Sequence, residues 1–142
     1  MSIKQLRDDF RAYVAALSAV VSAGVTPAAV WVPELGDRGT IDATQIQVAP
    51  SARESSIEGR GVLSDLPRCQ VAVYAPLGSD PDAAADAGQA LAEAIIDNTL
   101  GRRIGGTANG ICTSANQLVI ADPEHWRNKR LFLTVTEFTF RV

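Results

Sequence analysis

The chain has 142 residues, 46% of them hydrophobic and 20% charged, with 13 Lys+Arg against 16 Asp+Glu and a net charge of −3. This is one domain's length of chain, neither disordered nor fibrous in composition, and too acidic for a protein that wraps nucleic acid through its phosphates. One histidine, His125, and two cysteines, Cys69 and Cys112, exclude multi-histidine metal sites and disulfide frameworks and leave little for a nucleophilic triad.

Ser2 with Gln5 three residues on forms a capping box, and Ile3, Leu6, Phe10, Tyr13, Val14, Leu17 and Val21 step by three or four along one helical side. Lys4, Arg7, Asp8 and Arg11 fall outside that stripe. The spacing predicts one amphipathic helix ending before Gly24 or Pro27, which sets the uncharged run 12–25 apart from a secretion signal. That run is also shorter than the roughly 20 residues a membrane span needs. A cytoplasmic, membrane-free protein with buried, unpaired thiols is the expectation.

Val30, Trp31 and Val32 before Pro33 suit an edge strand within 28–35, followed by a turn at Gly36, Asp37 and Gly39. Residues 44–49 alternate, with Ile46 and Val48 on one face, and stop at Pro50. From Ser51 to Arg68 the alternation dissolves, predicting a long arm that takes order from something else. Residues 69–75 read as a strand closed by Pro76, and the three strands as an antiparallel meander.

Asp80 or Asp82, with Pro81 early, opens a second helix that stops near Asn98, with Gly101 as its cap. Asp82, Asp86, Gln89, Glu93 and Asp97 form its polar stripe; Ala84, Ala87, Gly88, Leu91, Ala94 and Ile95 lie opposite, small enough for close approach to a sheet. Residues 101–116 read as a loop with a short strand at 111–113, and 117–121 as another strand closed by Asp122-Pro123. The last strand, 131–142, changes phase: Leu131, Leu133 and Val135 share one parity, Phe138, Phe140 and Val142 the other. Either a bulge near Thr136 or Glu137 keeps one face buried, or Phe138 and Phe140 turn toward a partner chain.

The glycine-rich segment 101–110 lacks the Gly-Lys-Ser/Thr ending of a phosphate loop and follows a helix rather than a strand. His125 has Asp122 and Glu124 beside it but no second histidine. No Lys or Arg occurs from Cys69 to Gly101, whereas arginines gather in the irregular stretches: Arg53, Arg60 and Arg68, then Arg102 and Arg103, then Arg127 and Arg130. That segregation predicts pairing between the acidic helix of one subunit and the arginines of another.

The N-terminal amphipathic helix, the strand ending at Pro50 with Arg53 in a charged arm, the strand 69–76, the Asp-rich helix 82–98, and Asp122-Pro123 before the closing strand together resemble the tail terminator, or tail-completion, proteins of long-tailed bacteriophages. The resemblance spans nearly the whole chain. It implies a single α+β domain over 1–142, with a mainly antiparallel sheet of four to five strands flanked by two helices and carrying long loop arms. It implies a hexameric ring that caps the tail tube, ends its polymerisation and docks the head connector, with genome DNA passing through the lumen without specific binding. It implies a virion component of the tail or neck, assembled in the bacterial host cytoplasm, with no catalytic residues and no cofactor. The residues expected at subunit or tube interfaces are Arg53, Arg60, Arg68, Arg102, Arg103, Asp82, Asp86, Glu93, Asp97, Phe138 and Phe140. Two other readings stay open: a head-completion or neck adaptor, and a small monomeric enzyme or ligand-binding domain using His125, Asp122 and the glycine loop.

Overall fold

The computed structural model describes residues 2–33, 42–58, 62–105 and 110–142. Their order is α1 (Ile3–Ala15), α2 (Ser18–Ala23), β1 (Ala28–Ala29), β2 (Gln45–Glu58), β3 (Val62–Pro76), α3 (Pro81–Thr99), β4 (Ile111–Val119), α4 (Pro123–Asn128) and β5 (Leu131–Arg141). The five strands form one mixed sheet in the order β1-β2-β3-β5-β4, giving an α+β fold. β1 runs parallel to β2 and the other pairings are antiparallel, so the first three strands are an edge strand beside a hairpin rather than a meander.

α1 lays Leu6, Phe10 and Val14 on the sheet, and Phe10 meets Phe138 and Phe140 edge-on at centroid distances of 5.1 and 5.0 Å. The expected single N-terminal helix is broken at Ala16–Leu17, where Leu17 takes an extended backbone and caps α2. The break re-aims the chain so that Val20 is buried and Val21 faces out, and Gly24 closes α2 in the left-handed region. Arg7, expected on the outer side, is buried: its guanidinium lies 4.7 Å from the Trp31 ring centroid and pairs with Asp8. The turn expected at Gly36, Asp37 and Gly39 lies outside the described residues.

α3 begins as its sequence predicts, with the Asp80 carboxylate accepting from the Ala83 N–H and Pro81 in the first turn. Gly88 lets it approach closely, since a Cβ there would sit 2.7 Å from the Phe132 ring. α4 was not expected. Asp122-Pro123 is its N-cap and first residue rather than a simple turn, with the Asp122 carboxylate accepting from the His125 N–H.

β5 keeps one unbroken register with β3, from Pro76↔Leu131 to Arg68↔Thr139. The bulge expected near Thr136 or Glu137 is therefore absent from that pairing, and the irregularities against β5 lie on β4, at Cys112/Ser114 and Gln117/Val119. Both parities of β5 carry apolar residues because both are used: Phe138 and Phe140 pack under α1, while Leu133 and Val135 join Ala72 and Tyr74 in a second cluster.

Candidate assembly surfaces

The stretch 51–68 is strand rather than loop. β2 runs through Pro50 by a register shift between Pro50 and Ala52, a place where a residue without an N–H is tolerated, and pairs from Ala52↔Arg68 to Glu58↔Val62. β5 reaches only Arg68 along β3, and β1 touches only Gln47 and Val48 of β2. Residues 52–58 and 62–67 therefore continue as a two-stranded ribbon past the rest of the sheet. At the usual rise per residue it projects about 20–25 Å.

Ser51 through Ile57 are all exposed. Within the ribbon Arg53 grips Asp65 with Nε and Nη2 at 3.1 and 2.8 Å, and the Ser55 hydroxyl donates to the same carboxylate at 3.2 Å. At its root Arg68 lies 3.5 Å from Glu137 and 3.9 Å from Glu54, while Ser51 donates to Glu137 at 2.9 Å. Such exposed pairs stabilise by no more than about 1 kcal/mol each, but they fix the ribbon's shape. Arg53 and Arg68 are thus bound within their own chain, and Arg60 lies outside the described residues.

On α3, Asp82, Asp86, Glu93 and Asp97 are exposed, while Gln89 turns toward β4, sharing hydrogen bonds with Gln117 at 3.1 to 3.2 Å. Arg102 and Arg103 are also exposed, just beyond the helix, with their backbone laid against the start of β4: the Cys112 N–H donates to the Arg102 carbonyl at 3.0 Å. The expectation that Phe138 and Phe140 meet a partner is corrected. Both have no exposed surface, because they pack against Phe10 of α1.

His125 is engaged by a neighbouring carboxylate, and both thiols are buried. The His125 ring Nδ1 is hydrogen-bonded to the Asp122 carboxylate, which that bond and the His125 N–H hold below the usual carboxylate range. Burial pushes the Cys69 thiol up to about 12 and the Cys112 thiol up to about 11, so neither supplies a thiolate near neutral pH. Among the described residues no group of three or more His, Cys, Asp or Glu is placed to hold a metal ion, and no helix is long and apolar enough to cross a membrane. Gly101 to Ile104 lies beside β4 rather than at a helix N-terminus, unlike a phosphate cradle.

Sequence reasoning missed the Asp65 and Glu137 carboxylates that organise the arm. Their signal is cross-strand register, which becomes readable only when 51–68 is recognised as a hairpin.

No protein-family model and no curated protein matches the chain. A chain from the virion of a native gene transfer agent (GTA) particle is similar to it in structure, with 16% identity, 89% of this chain and 82% of that chain covered, and a TM-score of 0.43.

Proposed function

We propose that the chain is a structural protein of a bacteriophage virion, forming a ring, hexameric as the family resemblance implies, that caps the tail tube, ends its polymerisation and joins tail to head connector. The observation that carries this reading is the ribbon arm. A hairpin standing clear of its sheet with every side chain from Ser51 to Ile57 in solvent contributes little to its own core. Its use is contact with another molecule, and the order of elements around it resembles that of tail terminators. The work is done by surfaces rather than by a reacting group, in keeping with the buried thiols and the capped histidine.

The test combines sedimentation, electron microscopy and tube capping. The full chain is expected to form rings when concentrated and to stop growth of a polymerising tail tube. A variant with residues 52–66 replaced by a short glycine linker is expected to fold, by circular dichroism, and to do neither. A full chain that stays monomeric and leaves tube length unchanged overturns the proposal. Binding to a head connector but not to tubes replaces it with the neck-adaptor reading.

A further inference from the structure

The described residues leave three strand-length stretches of backbone paired on one side only. The first is the outer edge of β4. Its start is covered, since the Gly101 N–H donates to the Cys112 carbonyl at 2.9 Å and the Cys112 N–H donates to the Arg102 carbonyl at 3.0 Å. Beyond that, no described strand lies outside 113–119, because β4 ends the sheet. The others are the two edges of the arm, residues 52–58, which β1 does not reach, and residues 62–67, which β5 does not reach.

Exposed edges are normally guarded by charge, proline or shortness. Ile104 through Ala121 contains no charged residue and no proline, and Leu118 and Ile120 are 51% and 55% exposed there. The two bulges of β4 against β5 are the guard that remains. An uncharged open edge with apolar flanks is the surface of a strand that is covered when the protein works. The arm supplies what such an edge takes. Arg53 and Arg68 are engaged by Asp65, Glu54 and Glu137, so the arm's described part offers free backbone and Ile57, which is 76% exposed.

We propose that the outer edge of β4 accepts the arm of a second copy, residues 52–58 adding as a sixth strand beside 113–119. This rests on the reading of the chain as a ring subunit. Residues 52–58 and 113–119 are equal in length, whereas 62–67 is shorter and includes Pro67, which has no N–H to donate. The donor cannot be the chain's own arm: β3 and β5 stand between β2 and β4, and the ribbon leads away from the sheet. Strand addition of this kind takes its affinity from main-chain hydrogen bonds. Because donor and acceptor are different surfaces, the contact is head-to-tail, the type that closes into rings.

Cross-linking tests this directly. Ser56→Cys is placed in one preparation and Asn116→Cys in another; both positions are exposed, while Cys69 and Cys112 are buried. Mixed and treated with a short bismaleimide, the two preparations are expected to give a covalent dimer of one copy of each, located by peptide mass spectrometry, with neither variant linking to itself. Leu118→Lys is expected to raise the concentration needed for assembly by at least about tenfold, with its melting temperature unchanged. If Leu118→Lys fails to fold, the cross-link alone decides. Assembly that depends on the arm, with no link between 56 and 116 and Leu118→Lys assembling normally, overturns this proposal and leaves the ring reading standing. A chain that neither assembles nor links at any concentration overturns both.

Discussion

Phe10 is the residue on which α1 is seated. Its ring is held edge-on between Phe138 and Phe140, all three without exposed surface, so truncation leaves a hole that neighbouring rigid rings cannot fill. Phe10→Ala is expected to lower stability by about 3–5 kcal/mol in urea denaturation, near the top of the range for core truncations. Asp122 acts at the opposite extreme, on the surface. Its carboxyl is held below its ordinary 3.8 by the His125 ring and N–H, so it favours the folded state at higher pH. That contribution is lost as pH falls through its lowered value. In a Trp31→Phe background Trp126, packed near Ala75, Leu77 and Phe132, becomes the single tryptophan reporter of α4. Its fluorescence is expected to be flat at neutral pH and to change in strongly acidic solution. Asp122→Asn, which keeps a capping oxygen but no charge, is expected to remove that change.

At the scale of elements, α3 shows how a helix reads clearly when one side alone is buried. Its small face was legible in Ala84 and Gly88, although Ala87, expected on the same face, is exposed, and the contact of Gly88 with Phe132 is the reason that face is small. Gly88→Val is expected to cost about 1–3 kcal/mol through overpacking despite leaving a glycine behind, measurable as a lowered thermal midpoint. The arm was illegible for the complementary reason. Alternation along a strand records burial of one face, and residues 51–57 have both faces in water, so Ser, Arg and Glu follow with no period. β5 misled in the reverse sense: with Phe138 under α1 and Leu133 against Tyr74, both parities are apolar and a continuous strand imitates a phase slip. α4 is six residues long, too short for a period to declare itself, although the pair Asp122-Pro123 was a usable start signal. Of the candidate surface, the exposed carboxylates of α3 were legible from spacing alone. The partners of Arg53 and Arg68 were not, because cross-strand register chooses them.

For the whole molecule, charge is distributed rather than merely counted. The stretch from Cys69 to Gly101 contains no Lys or Arg, so α3 presents an acidic outer face, and Arg102 and Arg103 are exposed just beyond its end. A ring built head-to-tail from such subunits repeats that pattern around its circumference. If the arm makes the proposed contact, the number of repeats is fixed by the direction in which each arm leaves its own subunit. Ser51 sits in the register shift between Pro50 and Ala52, and it has no counterpart on β3. Bulges of this kind add twist and bend the strand that holds them. Deleting Ser51 preserves every other cross-strand pair and removes the bend together with the Ser51 hydrogen bond to Glu137. In a six-membered ring each neighbour is turned by about 60°, so a straightened arm is expected to give circles of a different count, or open spirals that never close, scored subunit by subunit in electron micrographs. In the proposed ring, one serine without a cross-strand counterpart then sets the curvature of the assembly, and with it the diameter of the hole through which anything must pass.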